Sequence, residues 1–337
     1  MKIDNFEDLQ RTLIFAEIGV NHEGDFSLAK DMIDLAGEAG ADGVKFQTYK
    51  LDEYVAINQR ERFERIQRFY FSFEQFRELA DYAKKRDILF FSTPLDFDSV
   101  DFLNDIVPFY KVSSGDLTNC YLIERIASKN KPIILSTGLS TESQIEQALG
   151  VIEKVSPELL KENKVMLMHC ISAYPAPLEE LNLLSIPFLK KRFNLPIGYS
   201  DHAIGIEACK IAVALGAKII EKHFTYRKEN QSFHDHVLSA DPIDLKNLVT
   251  DIRMIEKMMG DFSKKILNCE KKFATNMKRS IGAKCTIKKG SALTKENITF
   301  LRPASGIRLE NLRRVLGKKA KRDIGKGELI FPKDLEK

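Results

Sequence analysis

Short apolar runs alternate with longer amphipathic stretches from residue 14 to residue 260, and this alternation restricts the fold more than any other feature of the sequence. Each run has the length of a buried strand and each intervening stretch has room for a helix, so the pattern predicts repeated βα units on a parallel sheet. Eight units in about 250 residues match a closed (β/α)8 TIM barrel. The predicted strands are Ile14–Ile18, Gly43–Gln47, Ile88–Ser92, Phe109–Val112, Pro132–Ser136, Val165–His169, Pro196–Ser200 and Lys218–Lys222.

A doubly wound open sheet is the structural alternative for an α/β chain of this length. Such a sheet usually has a glycine-rich phosphate-binding turn after its first strand. Here the first predicted strand runs into Gly19-Val20-Asn21-His22, which is not a turn of that kind. The sequence therefore favours the barrel.

The last sixty residues differ from the rest in both pattern and charge. Residues 278–337 contain 17 Lys and Arg against 6 Asp and Glu, a net charge of +11, so residues 1–277 carry −7 of the chain's formal +4. Within this tail, segment 287–298 recurs 37 residues later as segment 324–335, which predicts a small pseudosymmetric β-domain. We predict a barrel domain over residues 1–261, a Lys-rich linker over 262–277 and a β-rich domain over 278–337.

Composition excludes several classes of protein. A hydrophobic content of 44% with 18 Gly and 11 Pro excludes a collagen-like or wholly disordered chain. No apolar run approaches the roughly 20 residues of a membrane span, and the acidic N-terminal segment is unlike a signal peptide. The five cysteines form no C-x-x-C motif, which is typical of reduced thiols. We therefore predict a cytoplasmic protein without a membrane partner.

Polar residues stand at the end of every predicted strand, where a TIM barrel places its active site. Polar side chains are needed at some strand ends simply to meet water, but an acid, ammonium groups and imidazoles at one mouth favour catalysis. The residues are Glu17, Lys45, Gln47, Ser92, Thr93, Lys111, Ser113, Ser114, Ser136, Thr137, His169, Ser172, Tyr174, Ser200, Asp201, His202, Lys222 and His223.

Two histidines, His202 and His223, end consecutive predicted strands and can reach a common point. Neutral imidazoles with water in the remaining positions form a divalent metal site that can polarise a carbonyl. The alternative is that each ring is only a hydrogen-bonded residue at a strand end. His234 and His236 could extend the cluster, whereas His169 fits the core better.

Strand phase predicts that Lys45, Lys111 and Lys222 face the barrel interior. Buried ammonium groups require anionic partners, and with nearby hydroxyls they could hold a phosphate and a carboxylate. A Schiff-base lysine, as in class I aldolases, is the rival use. Glu17 and Asp235 could serve as general acids and bases, or could form salt bridges to those lysines.

Ordered motifs over almost the whole chain resemble the sialic acid (nonulosonic acid) synthase family, including its N-acetylneuraminate synthases. The tail, with Leu-Arg-Pro at 301–303 and Leu-Gly-Lys-Lys at 316–319, is similar to the β-clip, antifreeze-like (SAF) domain of that family. In the barrel the motifs are Glu-Ile-Gly-Val-Asn-His-Glu-Gly (17–24), Val-Lys-Phe-Gln-Thr (44–48), Phe-Ser-Thr-Pro (91–94), Tyr-Lys-Val-Ser-Ser-Gly (110–115), Leu-Ser-Thr-Gly (135–138), Tyr-Pro-Ala-Pro (174–177), Gly-Tyr-Ser-Asp-His (198–202) and Glu-Lys-His-Phe (221–224).

The resemblance implies a transferase that joins phosphoenolpyruvate to an N-acetylated amino sugar, forms a C–C bond and releases phosphate. It implies a Mn²⁺ or Mg²⁺ ion at His202 and His223. It also implies a domain-swapped homodimer in which Arg302 of one subunit reaches the sugar in the partner's site. By motif match, the residues with catalytic roles are Glu17, Tyr174 and Asp235; those for phosphoenolpyruvate are Lys45, Thr93, Lys111, Ser113, Asp116, Ser136, Ser172 and Ser200; those for the sugar are Gln47, Tyr174 and Arg302.

Three positions depart from the family pattern. Asp116 replaces a glutamate, Ser172 replaces the asparagine of N-acetylneuraminate synthases, and segment 232–236 replaces Gly-Pro-Asp. The loop at 54–70 also lacks the Pro-Gly-Asn run found in enzymes that use N-acetylmannosamine. These features are compatible with either N-acetylmannosamine or a diacetamido-trideoxyhexose as acceptor, the latter giving legionaminic or pseudaminic acid.

The basic tail allows a non-enzymatic alternative, a polyanion binder fused to a degenerate barrel. Few aromatics and no nucleic-acid motif occur in the tail, so we predict no nucleic-acid partner.

Overall fold

The computed structural model describes residues 3–56, 58–229, 231 and 233–336. The chain divides into two compact units, residues 1–260 and residues 261–337. Within the described residues, every helix is too short or too polar to cross a bilayer.

Eight parallel strands form the sheet of the first unit, in the order β3-β2-β1-β8-β7-β6-β5-β4. The two end strands of this order, β3 and β4, also lie beside each other, so the sheet is a nearly closed barrel. The predicted TIM barrel is confirmed, and every predicted strand lies within two residues of an observed one. The strands are β1 Leu13–Gly19, β2 Gly43–Thr48, β3 Leu89–Pro94, β4 Tyr110–Val112, β5 Ile133–Ser136, β6 Val165–Cys170, β7 Ile197–Asp201 and β8 Ile219–His223.

Helices cover the outside of the barrel, and local sequence determines where the longer ones begin. Capping boxes formed by Ser72 with Gln75 and by Thr141 with Gln144 satisfy the first free N–H groups of two of them. The helices of this unit are α1 Phe26–Glu38, α2 Leu51–Tyr54, α3 Arg60–Arg68, α4 Phe73–Lys85, α5 Phe97–Leu103, α6 Cys120–Ala127, α7 Glu142–Val155, α8 Pro157–Lys161, α9 Ser185–Phe193, α10 Glu207–Ala214, α11 Asp235–Leu238 and α12 Pro242–Met259.

An aromatic cluster fills the barrel interior below the carboxyl ends of the strands. The rings of Phe15, Phe91 and Phe109 pack against one another with centroids 4.6 to 5.8 Å apart. Successive side chains of a strand point to opposite faces, so residues two positions further along share the interior face. On β1 and β4 those residues are Glu17 and Lys111, which places a charged layer directly above the aromatic one.

The second unit is small and contains a two-stranded antiparallel sheet. Its hydrophobic core includes Ile281, Ile287, Ile324 and Ile330. The first residues of the two sequence repeats, Ile287 and Ile324, exchange backbone hydrogen bonds of 2.9 Å in both directions, as expected for related halves. Its elements are α13 Asn268–Lys271, α14 Ala274–Met277, β9 Ser280–Ala283, β10 Ile298–Leu301 and α15 Leu312–Val315.

Candidate active site

Four buried charges form the floor of a cavity at the carboxyl ends of the strands. Lys45 Nζ lies 2.9 Å from Glu221 Oε1 and 3.4 Å from Glu17 Oε2. Lys111 Nζ lies 3.6 Å from the same Glu221 oxygen and donates a 2.7 Å hydrogen bond to Ser136. All four charged residues are at most 6% exposed. Two ammonium groups and two carboxylates are therefore held together away from water.

Burial and charge act in opposite directions on this quartet. Burial raises the pKa of Glu17 to about 7 against the opposing effect of Lys45. Burial would also raise the pKa of Glu221, but Lys111 and Lys45 outweigh it and lower that pKa to about 2. Burial lowers the pKa of Lys111. Glu221 is thus the permanent anion of the floor, whereas Glu17 can exchange a proton near neutral pH.

Two imidazoles lie above the floor on neighbouring strands. The ring centroids of His202 and His223 are 5.3 Å apart. His202 Nδ1 is 2.6 Å from the carbonyl oxygen of Ile171, so it donates its proton there and Nε2 keeps a lone pair. His223 Nδ1 is buried and has no hydrogen-bond partner among the described residues. Burial lowers the pKa of both histidines, which favours the neutral, metal-binding form.

Tyr174 and Asp235 flank the imidazole pair. The Tyr174 ring centroid is 4.2 Å from that of His202 and 5.9 Å from that of His223. Asp235, at the start of α11, has one carboxylate oxygen 3.8 Å from His223 Nδ1 and the other 3.1 Å from His234 Nε2. Burial raises the pKa of Asp235. A phenol, a carboxylate and two imidazoles are thus available to one ligand.

Hydroxyl groups line the wall of the cavity next to the lysines. Ser200 Oγ donates to Glu221 at 3.0 Å, and Ser113 Oγ donates to Asp116 at 2.5 Å. The buried hydroxyls of Thr93 and Ser172 have no partner within the described parts of the chain. Unpaired buried hydroxyls next to ammonium groups suit an oxyanion ligand.

The cavity enclosed by these groups has a volume of about 550 Å³. It brings together fourteen of the fifteen side chains that the motif match predicted for the site, and Gln47, whose amide donates to Glu17 at 3.4 Å, is among them. The fifteenth, Arg302, follows β10 in the second unit and is exposed there.

The chain matches the NeuB family over residues 32–264 and the SAF domain over residues 278–336. The chain belongs to the NeuB family. The resemblance given by the strand-end motifs is therefore confirmed, and so is the SAF domain of the tail.

Two relatives of this NeuB-family chain match over nearly its whole length, and a solved structure matches over most of it. An uncharacterized protein of Methanocaldococcus jannaschii is 44% identical and covers 96% of this chain and 94% of its own. The N,N'-diacetyllegionaminic acid synthase of Campylobacter jejuni is 42% identical and covers 96% of this chain and 99% of its own. The crystal structure of N-acetylneuraminic acid (sialic acid) synthetase from Leptospira borgpetersenii has a TM-score of 0.73 and 38% identity, covering 78% of this chain and 90% of that one.

The prediction that Lys222 faces the interior of the NeuB barrel is wrong. The Lys222 ammonium group donates a 2.7 Å hydrogen bond to Asp201 Oδ2. The same carboxylate oxygen accepts a 3.4 Å hydrogen bond from the Cys209 thiol on the outer helix α10. Because side chains alternate along a strand, the interior position of His223 also makes Glu221 interior and turns Lys222 outward. That alternation was the signal that could have identified Glu221, which sequence analysis left without a role.

The proposed extension of the histidine pair is also wrong for His236. Its ring is buried between Thr225 Oγ1 at 2.7 Å and Glu23 Oε1 at 3.1 Å, outside the cavity. His234 does line the cavity but is half exposed. His169 lies in the core, as expected, with Nε2 2.8 Å from the Leu181 carbonyl oxygen. Ser232, part of the segment that departs from the family pattern, lies outside the described residues.

Proposed function

We propose that this chain is a nonulosonic acid synthase that condenses phosphoenolpyruvate with an N-acetylated amino sugar and releases phosphate. The observation that carries the proposal is the buried Lys45, Lys111, Glu17 and Glu221 quartet beneath two neutral imidazoles in a NeuB-family barrel. Its relatives named as legionaminic acid synthase and sialic acid synthetase support the same reaction class.

Phosphoenolpyruvate carries a phosphate and a carboxylate, and the floor and wall suit both groups. Lys45 and Lys111 supply positive charge in a site that excludes water, where an ammonium–anion contact is stronger than in solution. Thr93, Ser172 and their neighbouring hydroxyls supply donors. The lysines would hold the substrate so that its C3 carbon faces the acceptor aldehyde, to which C3 forms the new bond.

The carboxylates of Glu17 and Asp235 and the phenol of Tyr174 are the groups suited to act on protons during the condensation. Water adds at C2 of phosphoenolpyruvate, and the C–O bond to phosphate then breaks. Glu17 is suited to take the proton from that water, because its pKa lies near neutrality. Asp235 and Tyr174 lie beside the imidazoles, where they would orient the sugar and stabilise its new hydroxyl.

We also propose that His202 and His223 hold a divalent ion, Mn²⁺ or Mg²⁺. The residues fit such an ion: burial lowers the pKa of both imidazoles, which favours their neutral form, and among the described residues the buried His223 Nδ1 has no hydrogen-bond partner. Among the described residues, no group of three or more His, Cys, Asp or Glu side chains is arranged so that it could hold a metal ion. Water or substrate would therefore fill the remaining coordination positions of the ion. When bound, the ion would polarise the aldehyde carbonyl of the sugar.

The direct test is phosphate release from phosphoenolpyruvate with a panel of N-acyl hexosamines. We expect release only when both substrates are present, with one product molecule formed for each phosphate.

A borohydride-trapped adduct between pyruvate and Lys111, without phosphate release, would instead identify a Schiff-base aldolase. Lys222 is not a candidate for that adduct, because Asp201 holds it outside the cavity. A salt-sensitive DNA shift without condensation would identify a polyanion binder.

We propose in addition that the enzyme is a cytoplasmic, domain-swapped homodimer, with Arg302 acting in the partner's site. The charge division of +11 and −7 supports docking of the tail on a second barrel, and all five cysteines are free. Arg302→Ala subunits mixed with His202→Ala subunits should regain about half of the wild-type activity per heterodimer, because one of its two sites combines both intact halves. No recovery after confirmed subunit exchange would contradict the swap.

A further inference from the structure

Two side chains at the cavity mouth belong to none of the roles above. Tyr54 ends α2 and Arg62 lies in the first turn of α3, and both line the cavity. The Arg62 guanidinium carbon is 5.9 Å from the centroid of the Tyr54 ring. Both come from the segment after β2, so they approach the mouth from one side.

Arg62 is free to bind a ligand. Several arginines of the barrel unit have carboxylate partners: Arg86 lies 2.7 Å from Asp34, and Arg192 lies 3.1 Å from Glu142. Arg60 and Arg62, both on α3, have no such partner among the described residues. No carboxylate of the described residues lies within ion-pair distance of Arg62. A guanidinium has five N–H donors and no acceptor, so its donors remain available to an oxygen of a ligand in the cavity.

The surface beside the guanidinium is apolar. Tyr54 and Leu95 both line the cavity and both pack on a small hydrophobic cluster of Tyr49, Val55 and Ile66, separate from the barrel core. This corner of the cavity thus combines strong donors with an aromatic ring and a leucine side chain.

The position of α3 relative to the mouth is well defined. The Tyr49 hydroxyl donates a 2.9 Å hydrogen bond to the carbonyl of Ile66, inside α3. At the end of α3, a Cβ atom added to Gly24 would lie 2.0 Å from the Arg68 carbonyl oxygen, so the loop after β1 approaches closely enough to require glycine. The C-terminal end of α3 is therefore fixed by one hydrogen bond and one close backbone contact, and Arg62 lies on the same helix.

An N-acyl group matches this corner better than other sugar substituents. Its carbonyl oxygen can accept from Arg62, and its methyl group can pack on Tyr54 and Leu95. A hydroxyl group could accept a hydrogen bond from Arg62 but would leave the apolar surfaces of Tyr54 and Leu95 uncovered. A phosphate monoester would use the charge but would bring a strongly hydrated group against those faces.

We propose that Arg62 and Tyr54 form a subsite for a second N-acyl group on the acceptor, which makes the preferred acceptor a diacylamino sugar. This inference rests on the proposed synthase function and deepens it. The site already described handles phosphoenolpyruvate and the reacting aldehyde, whereas the Arg62 corner selects among acceptors.

The test compares two acceptors, 2,4-diacetamido-2,4,6-trideoxymannose and N-acetylmannosamine, with wild-type enzyme, Arg62→Ala and Arg60→Ala. Arg60 is the matched control, because it is exposed on the same helix and does not line the cavity. We expect Arg62→Ala to lower kcat/KM for the diacetamido sugar by about 10- to 100-fold, the effect of one charge-assisted hydrogen bond. We expect changes below about threefold for N-acetylmannosamine, for the KM of phosphoenolpyruvate and for Arg60→Ala.

The outcomes separate the inference from the function on which it rests. If wild-type enzyme releases no phosphate with any sugar, the synthase proposal fails. If it uses both sugars and Arg62→Ala lowers both rates equally, the synthase proposal stands and the acyl subsite is wrong. If a 6-phosphorylated sugar is preferred and Arg62→Ala removes that preference, the subsite binds phosphate, and the acyl assignment is overturned.

Discussion

Replacing His202 or His223 with alanine should lower kcat/KM for condensation by about a thousandfold. A Lewis acid contributes several kcal/mol to stabilising the charge that develops on a carbonyl oxygen, and about 4 kcal/mol corresponds to that factor. The imidazoles have centroids 5.3 Å apart and are the two ligands that we propose from the described residues, so losing one leaves a single imidazole, too few for tight binding. Initial rates of phosphate release, measured after EDTA treatment and again after titration with Mn²⁺, test this expectation.

His236→Asn is the matched control for the loss of a buried imidazole. The asparagine amide can replace the 2.7 Å contact between His236 Nδ1 and Thr225, and the side chain lies outside the cavity. We expect His236→Asn to change the activity per folded enzyme by less than fivefold. We expect His202→Ala, His223→Ala and His236→Asn to lower the free energy of unfolding by comparable amounts. Full wild-type activity in EDTA, or an unaffected His223→Ala enzyme, would contradict the metal assignment.

Lys45→Met should both destabilise the barrel and inactivate the enzyme. The substitution leaves buried Glu221 with the Ser200 hydroxyl at 3.0 Å and with Lys111, at 3.6 Å, as its remaining cationic partner. Breaking a buried ion pair in this way costs about 3–5 kcal/mol of unfolding free energy. Activity should fall by about 10²- to 10³-fold, the range observed when one stabilising donor is removed from an active site. Denaturant unfolding and steady-state rates measure the two effects separately.

The double variant Lys45→Met/Glu221→Gln distinguishes structural from catalytic roles in the quartet. It leaves Lys111 and Glu17, one charge of each sign, so most of the lost stability should return while activity remains low. Lys161→Met is the surface control, because its ion pair with Glu158 is two-thirds exposed and should contribute less than about 1 kcal/mol. If the double variant is as unstable as Lys45→Met, the quartet is not held by its charge balance.

Much of the fold could be read from the chain because its determinants are local. A buried parallel strand is a short apolar run, and its end is marked by the first polar residues. Glu17, Lys111 and His202 could therefore be placed at the mouth before any contact was known. Barrel topology brings all strand ends to one face, so sequence order was enough to predict that these residues meet.

The face of β8 that lines the barrel interior depends on pairing with another strand. Lys222 and His223 are adjacent, so only one of them can face the interior, although the strand-end pattern predicts both there. Pairing of β8 with β1, in which Glu17 lies opposite His223, determines the face. Glu221 follows from that register, and its three partners come from other strands.

By itself, the sequence determined the number and order of the strands, the residues at their ends and the family, because each of these is written in contiguous residues. Only the tertiary structure decided which side chains share the buried charge network and which approach the acceptor. Tyr54 and Arg62 reach the mouth because Tyr54 of α2 packs on the separate cluster of Tyr49, Val55 and Ile66, and Ile66 of α3 is part of that cluster. That placement depends on contacts between residues far apart in the chain. The free energy of such contacts cannot be predicted from a local sequence pattern.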